Sequence, residues 1–530
     1  MFVPDEESAR WIEAWVAAGA GRRPPGAIGE VWPGWVPEAI PVGLILPGGA
    51  GLCLASARVG GREVAARGGG PLAGLRHLTW DDARRAGLPV AEAASAGAHP
   101  WLRGTPGPDG TVVAPAGGTP AVFLEADALG ARAATEGGGA AGLPPPFAIA
   151  AVLYGALFSA WWGAVPGRAE PPVPDEASDA GGPPAPARAA AGLEPAGAEQ
   201  AALLAVEGRQ LLELLEAAEG AERLRSPAAA LALVRRERRV EEAESAIALE
   251  RWREMTEGLP AYVGWRCASA LASGPARPPE PLPGPLAGLA DLAARAAGVR
   301  ARLVGWGLAL LLDRIEPLGP GPGATRPRAW GGRLDLAGGW KALLASGRAP
   351  HLDALVEAHL TFDGGSRDDA LVRAARAAHG YEQALEEART RSAQASAARR
   401  TLFDQILRGP GTLVVFDVRE LSGGSVRAAV PPQAIHGGMA VYPQGATFRF
   451  AGGTCVDVTG AAVAQDRSSG LLQVRVPARL AFGAEGGRVS AEDGAVFAEG
   501  LDLRLPGVRV RARTGSIRPI DGGYLIRVAR

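Results

Sequence analysis

Six histidines are the side chains best suited to bind a metal or move a proton near neutral pH, and their spacing predicts no compact metal site. They are His77, His99, His351, His359, His379 and His436. No two stand four residues apart, the spacing that places two imidazoles on one face of a helix. His351 and His359 flank Glu357 and share a face only on an unbroken helix. His351, His359 and His379 therefore remain weak alternative ligands.

Other sequence patterns that carry chemistry are missing. There is no GxSxG elbow and no SxxK set for a nucleophilic serine. The three cysteines, Cys53, Cys267 and Cys455, lie far apart, without CxxC spacing or an even count, and we expect reduced, buried thiols. Glycines 68–70 are not followed by a Lys-Ser/Thr pair, which predicts an ordinary loop and not a phosphate-binding one.

Composition bounds the class of protein. A chain of 530 residues with 47% hydrophobic and 21% charged residues is expected to form two to four folded domains. The net charge of -1 provides no global field for nucleic acid, so we expect no nucleic-acid partner. Acidic residues near Met1 occupy the place of a signal peptide's positive charge, which predicts a cytoplasmic location.

The run Phe147 to Val165 contains no charged residue and is bounded by proline on both sides. About 20 apolar residues can cross a bilayer, so the run is compatible with a membrane span and a membrane-associated protein. A helix that is apolar all round is equally expected in the core of a large domain. We favour the buried core helix and keep the membrane span as an alternative.

The order of periodic segments predicts the fold class α+β. A short amphipathic helix at residues 5–18 precedes short apolar runs that predict a small mixed sheet. Helical segments are expected at 199–224, 227–255, 286–315 and 367–407, and the charge run VRRERRVEEAE within the second predicts a solvated helix face. From Gly411 onward, short alternating strands predict an antiparallel sandwich or small barrel.

Three regions are therefore expected. Residues 1–135 form an N-terminal α+β region that packs on the central domain. Residues 136–408 form a mainly helical domain, with a flexible Pro/Ala-rich insertion at 168–197 because that segment has almost no large apolar residue to bury. Residues 409–530 form the C-terminal β domain.

Three segments resemble bacterial metallopeptidase-like proteins of the zincin type, in the gluzincin group. They are VWPGWVPEAIPV at Val31–Val42, TEGLPAYV at Thr256–Val263 and WGLALLLDRIEP at Trp306–Pro317. In that family a helix with HExxH supplies two histidine ligands and the general base, and NEGLAxYV supplies the third zinc ligand. The resemblance covers residues 31–406 in order and implies a zincin-like central domain.

The same resemblance implies a lost metal site. The run from Leu153 aligns with the family's LLHExFH, which places Gly155 and Ser159 at the histidine positions and Ala156 at the catalytic glutamate. Glu257 keeps the third-ligand position. Because a gluzincin needs two imidazoles, a carboxylate and a general base, we expect no catalytic residue, no metal and no cofactor at these vestigial positions.

The aligned positions also carry a structural expectation. Gly155 and Ser159 belong to a small-residue stripe that would let a neighbouring helix approach closely, in a membrane or in a soluble core. We expect that neighbour to carry Glu257, with no metal between the helices. Glu257 itself is near a helix end and close in sequence to Arg251, Arg253 and Arg266, so we expect it to form an ion pair or a helix cap and not a functional contact.

Three hypotheses for function follow. The favoured one is a catalytically inactive, zincin-like protein that binds or scaffolds an unknown protein or peptide partner. The second is an active metallohydrolase or peptidase that uses non-standard ligands such as His351, His359 or His379. The third is a single-span membrane protein that exposes the β domain.

Overall fold

The structure is a computed structural model of the whole chain, and it describes most of the helices and strands. The described residues are 6–17, 31–35, 40, 42–55, 58–59, 62–63, 76–85, 88, 90, 105–106, 111–116, 119–129, 146–164, 197–218, 220–240, 242, 244–273, 283–318, 339–360, 362, 366–421, 424–427, 433–435, 439–450, 454–466, 469–476, 489–492, 495–505, 507–520 and 523–529. The expected flexible insertion at 168–197 lies outside them except for Gly197.

The helices within these ranges fall mainly in the central part of the chain. They are α1 (Glu6–Ala17), α2 (Trp80–Arg85), α3 (Pro146–Gly163), α4 (Ala198–Glu216), α5 (Ala221–Arg239), α6 (Glu244–Arg253), α7 (Leu259–Ser273), α8 (Ala297–Ile315), α9 (Gly339–Ala345), α10 (Leu352–Ala358), α11 (Ser366–Ala378) and α12 (Tyr381–Arg408). A single π-helical turn, Glu254–Gly258, joins α6 to α7, and 3₁₀ turns cover Pro47–Gly49, Gly284–Ala294 and Glu316–Leu318.

The strands lie at the two ends of the chain, which confirms the predicted α+β class. The first group is β1 (Val42–Ile45), β2 (Leu52–Leu54), β3 (Arg58–Val59), β4 (Arg62–Glu63), β5 (Arg76–Leu78), β6 (Thr105–Pro106), β7 (Thr111–Ala116) and β8 (Thr119–Glu125). The second is β9 (Thr412–Asp417), β10 (Gly424–Arg427), β11 (Gln433–Ile435), β12 (Met439–Tyr442), β13 (Gly445–Phe450), β14 (Cys455–Thr459), β15 (Val463–Asp466), β16 (Leu471–Val476), β17 (Val489–Glu492), β18 (Ala495–Leu505), β19 (Val508–Ile520) and β20 (Gly523–Ala529).

The chain divides into two compact units. The first comprises Met1–Pro172 and Gln200–Glu382, and the second comprises Val173–Glu199 and Gln383–Arg530. The N-terminal sheet and the helices that follow it thus belong to one unit. The predicted boundary at residue 408 lies at the end of α12, whereas the units divide near the beginning of that helix.

The sheet of the first unit is mixed, as predicted. Its strand order is β5-β2-β1-β8-β7-β6, and β1 pairs parallel with β8 while the other neighbours are antiparallel. Strands β1 and β2 are short apolar runs that are almost entirely buried. Residues of this sheet such as Leu44 and Leu124 share one continuous core with α1, α3 and the later helices.

Helix α3, which contains most of the charge-free run, is a core element of the first unit. Leu153, Tyr154, Leu157 and Phe158 are buried, and only the two ends of the helix are exposed. Trp32 lies against Phe158, with ring centroids 5.0 Å apart in an edge-to-face arrangement. In the described part of the chain, no helix is both long and apolar enough to span a membrane.

All four of the predicted long helices are interrupted. The segment 227–255 breaks between α5 and α6, and the segment 286–315 breaks at Arg295, which is extended between a 3₁₀ segment and α8. The segment 199–224 breaks between α4 and α5, where Gly220 takes an extended conformation at the N-cap. The segment 367–407 breaks between α11 and α12 at Gly380, which has a φ of 66°. Glycine adopts this left-handed conformation without steric cost and commonly ends a helix. The hydrophobic pattern therefore continues through this position although the helix itself stops there.

The second unit contains a nearly closed sheet. Twelve described strands belong to it, with the main order β10-β13-β14-β19-β20-β9-β16-β15-β12-β11 and with β18 beside β19. The described pairings are antiparallel, as predicted, except that β20 runs parallel to β9. Alternating residues such as Val414, Phe416 and Val474 fill its interior.

Candidate functional site

Gly155 lies where α3 touches the beginning of α7. A Cβ atom on Gly155 would be 2.8 Å from the carbonyl oxygen of Pro260, well inside the 3.4 Å at which ordinary contacts begin. Gly264, one turn later on α7, faces back toward α3: its Cβ would be 2.9 Å from the Gly155 nitrogen and would overlap the carbonyl oxygen of Ala151. The two helices are therefore in direct backbone contact at this crossing, and only glycine fits at either position.

The π-helical turn before α7 has a local cause. Pro260 has no N–H to donate to the carbonyl of residue 256, and its ring would clash with that carbonyl in a regular α-helix. A wider turn at Glu254–Gly258 avoids this clash. The turn is held by a second close approach, because a Cβ on Gly258 would be 2.5 Å from the Cα of Gly305 on α8.

Glu257 occupies the π turn and forms an ion pair, as predicted from the sequence. Its Oε1 lies 3.7 Å from Nε of Arg253, one turn earlier. The Glu257 side chain is 30% exposed, and its Oε2 would be 3.3 Å from a Cβ on Gly298. The carboxylate of Glu257 thus lies between Arg253 and the backbone at Gly298.

Ala156 is buried and Ser159 is half-buried on α3. Together with Gly155 they are side chains that offer zinc no strong donor. Within the ranges that the structure describes, no three His, Cys, Asp or Glu side chains come together to hold a metal.

His351 and His359 sit at opposite ends of α10. The Nδ1 atom of His351 accepts a hydrogen bond of 3.1 Å from the Ala354 amide and caps the helix N-terminus. Burial lowers the pKa of His351 to about 4, so the ring is neutral and able to accept at neutral pH. His359 follows the last residue of the helix, where its Nδ1 lies 2.8 Å from the Leu355 oxygen. Eight residues of helical rise place the two backbone positions about 12 Å apart along the axis of α10.

His379 lies elsewhere, in the turn between α11 and α12. Its Nδ1 is 3.7 Å from the Glu213 carboxylate of α4, and its carbonyl oxygen accepts a hydrogen bond from Arg209. The structure does not bring His351, His359 and His379 together. Of the other histidines, His99 and His436 lie outside the described residues, as does the side chain of His77.

The cysteines are free thiols. Cys53 and Cys267 are buried, and burial raises the pKa of Cys53 to about 12 and that of Cys267 further. Cys455 is half-buried on β14. Such raised pKa values disfavour the nucleophilic thiolate, so these side chains behave as small apolar groups.

The predicted solvated charge run is wrong. Arg235, Arg238 and Arg239 on α5 are each less than 10% exposed. They point into the first unit because carboxylates from four other elements meet them there: Glu207 on α4, Glu250 on α6, Glu254 in the π turn and Asp353 on α10. We call these three arginines and four carboxylates the buried charge cluster.

Arg235 is the centre of the buried charge cluster. It donates to Glu207, to both oxygens of Glu254 at 2.7 and 2.9 Å, and to Asp353 at 3.0 Å. Buried charges are tolerated only when they are paired and hydrogen-bonded, and here one guanidinium joins three helical elements and the π turn. The cluster thereby fixes the first residue of the turn that carries Glu257.

The cluster contains one more carboxylate than arginine. Arg251, which is 32% exposed, adds a charge 3.2 Å from Asp353. Burial, opposed by Arg235 and assisted by Asp353, raises the pKa of Glu254 to about 8, whereas Arg235 and Arg239 hold the pKa of Asp353 well below its usual range. Glu254 is thus the carboxyl group that retains a proton near neutral pH.

The segments that carry the resemblance meet in one place. The Tyr262 hydroxyl donates a 2.6 Å hydrogen bond to Asp313 on α8, and the Trp340 indole donates one of 3.1 Å to the same carboxylate. Trp340 in turn lies against Trp32, with ring centroids 5.6 Å apart. Desolvation, with Asp313 nearby, raises the pKa of Tyr262 well above its usual value, so the phenol stays protonated as the donor.

Comparisons with known proteins returned no match. No protein-family model, no curated protein and no solved structure is significantly similar to the chain.

Proposed function

We propose that this chain is a catalytically inactive, zincin-like protein whose role is to bind or scaffold a protein or peptide partner. The observation that carries the proposal is the contact of α3 and α7 at Gly155 and Gly264. The resemblance places a metal ligand at Gly155, and at that position the Cβ of any larger residue would meet the Pro260 carbonyl.

The neighbourhood of the crossing supports the same proposal. Val31–Val42, Thr256–Val263 and Trp306–Pro317 belong to one core with α3, through Trp32, Tyr262 and neighbouring side chains. Glu257 lies three residues before Pro260, so the aligned helix and the third-ligand segment are adjacent. The Gly155, Ala156 and Ser159 positions nevertheless offer no imidazole, and Glu257 is paired with Arg253. A metallopeptidase fold that had lost its metal would keep these two segments side by side but would lack the side chains that bind zinc.

Metal content and peptidase activity test the proposal. The full chain, produced with added zinc and then dialysed against a weak chelator, is expected to retain substoichiometric zinc by elemental analysis and to cleave no labelled casein above background. Glu257→Ala is expected to change neither result. Its effect on stability is expected to be within about 1 kcal/mol, because partly exposed ion pairs contribute little.

The matched control for Glu257→Ala is Glu213→Ala, which removes an exposed carboxylate near His379. Near-stoichiometric zinc together with peptidase activity that Glu257→Ala abolishes and Glu213→Ala preserves would refute an inactive role.

A further inference from the structure

One face of the sheet in the second unit displays a set of exposed arginines. Arg509, Arg511 and Arg513 alternate along β19 with Val508 and Val510, which are buried. Because successive side chains of a strand point to opposite faces, the three arginines project outward together.

The neighbouring strands extend this set. Arg504 on β18 is directly opposite Arg509, and Cys455 on β14 is opposite Arg511. One strand further, Arg449 on β13 is opposite Cys455 and exposed. Arg449, Arg504, Arg509, Arg511 and Arg513 therefore occupy one continuous surface, which we call the arginine face.

The arginine face is poorly neutralised. A single carboxylate, Asp502, serves three of its members: it lies 3.4 Å from Arg504, 3.1 Å from Arg509 and 4.0 Å from Arg511. Asp457, opposite Arg509, accepts a 2.7 Å hydrogen bond from Thr447. Among the residues that the structure describes, no carboxylate forms an ion pair with Arg449 or Arg513.

This arrangement of arginines lowers the stability of the sheet. Like charges directly opposite each other on neighbouring strands, such as Arg504 and Arg509, are destabilising. Asp502 is 42% exposed, so its ion pairs are screened by solvent. Among the side chains that the structure describes, five guanidinium groups face two carboxylates, which leaves N–H donors without an anion. A surface of this kind gains free energy when an anionic ligand binds.

We propose that the arginine face binds an extended acidic peptide segment of a partner protein. Residues two apart on a strand are about 6.6–6.8 Å apart, and an extended peptide with an acid at every second position repeats at the same distance. Each guanidinium can then hold a carboxylate through two parallel hydrogen bonds. This inference rests on the proposed function, because it assumes that the protein acts by binding a partner. It adds the chemical class of that partner.

Side-chain chemistry selects the peptide over a nucleic acid. Proteins that hold single strands interleave basic residues with aromatic side chains on which bases stack. The outward residues between the arginines are Thr447, Cys455, Asp457 and Thr459, and none is aromatic.

Fluorescence anisotropy with the full chain tests the inference. The probe is a fluorescein-labelled twelve-residue peptide of alternating Glu and Ser, and its control is a peptide of the same composition with all Glu residues first. We expect the alternating peptide to bind several-fold more tightly at low salt and to weaken as salt rises. Arg511→Ser with Arg513→Ser is expected to weaken binding at least about tenfold, since two charge-assisted pairs are lost.

Arg518→Ser is the matched control, because Arg518 is exposed on the same strand outside the arginine face. Far-UV circular dichroism verifies that each variant keeps its strands. Equal affinity of the two peptides, an equal loss in Arg518→Ser, or tighter binding of oligo-dT or phosphatidylserine vesicles than of the alternating peptide would overturn the inference. Zinc content and peptidase activity are independent of all these outcomes, so failure here and failure of the proposed function are distinguishable.

Discussion

Replacing Gly155 by alanine is the most direct perturbation of the α3–α7 crossing. The added Cβ would lie 2.8 Å from the Pro260 oxygen, about 0.6 Å closer than an ordinary contact. The obstacle is a backbone atom inside a helix, so relief requires α7 to shift as a body. Overpacking of this kind costs about 1–3 kcal/mol, offset by about 1 kcal/mol because alanine favours the helix more than glycine does. We expect a net loss of up to about 2 kcal/mol.

Gly163→Ala on the same helix supplies the matched control. Nothing lies within 4 Å of a Cβ at Gly163, so only the helix propensity changes and the variant is expected to be neutral or slightly more stable. Gly264→Ala is expected to cost more than Gly155→Ala, since its Cβ would overlap the Ala151 oxygen. The order of stability is therefore Gly163→Ala, wild type, Gly155→Ala, Gly264→Ala.

Tryptophan fluorescence during urea unfolding measures these differences in the first unit alone. All 13 tryptophans lie at or before Trp340, within the first unit, so the second unit contributes no tryptophan signal. If Gly155→Ala unfolds at the same urea concentration as Gly163→Ala, the two helices are not in contact at Gly155. The space for a metal ligand would then be open, and the reasoning behind an inactive site would fail.

Three further predictions concern the buried groups. The pKa of Glu254 is about 8 in the folded state against 4.5 for an ordinary carboxyl, so between these values the folded protein holds a proton that the unfolded chain has released. This contribution to stability is fully present below about pH 4.5 and is lost as the pH rises to about 8, so the urea midpoint of the first unit is expected to fall over that range and to fall less in Glu254→Gln. Asp353→Asn leaves buried arginines short of a charge and is expected to cost about 3–5 kcal/mol in the same assay, whereas Asn at the exposed Asp81 is expected to change stability by less than about 1 kcal/mol. His351→Ala removes the cap of α10 and is expected to cost about 0.5–2 kcal/mol, while His351→Asn preserves an acceptor and most of the stability; equal losses would argue against the cap.

Periodicity and turn residues were sufficient to predict the α+β class, the small mixed sheet and the C-terminal strands. These signals did not locate the helix ends. The hydrophobic pattern runs through Gly380, and only its positive φ shows that a helix ends there. Local charge alternation on α5 was misleading for a different reason. Arginine and glutamate four apart favour an exposed face, but the carboxylates that bury Arg235 come from positions 28 residues before it and 118 residues after it. Only tertiary structure brings such partners together.

Some features of the candidate site were likewise predicted from the sequence, and others were not. The close approach of a neighbouring helix at Gly155 and the ion pair of Glu257 were predictable from the sequence. The first depends on the small size of glycine, and the second depends on an arginine that is close in sequence. The π turn was not predicted, although Pro260 is the signal that could have indicated it. The resemblance predicted that the segment of Glu257 lies beside Gly155, but it did not single out Gly264, whose role depends on where α7 crosses α3.

The segment Thr256–Val263 has structural roles that require no metal. Gly258 permits the approach of Gly305, Pro260 accounts for the π turn and receives Gly155, and Tyr262 donates its hydroxyl to Asp313. Glu254, at the start of the same turn, is held by Arg235 in the buried charge cluster. Packing and hydrogen bonding thus account for the glycine, the proline and the tyrosine of a segment that resembles a zinc-binding one.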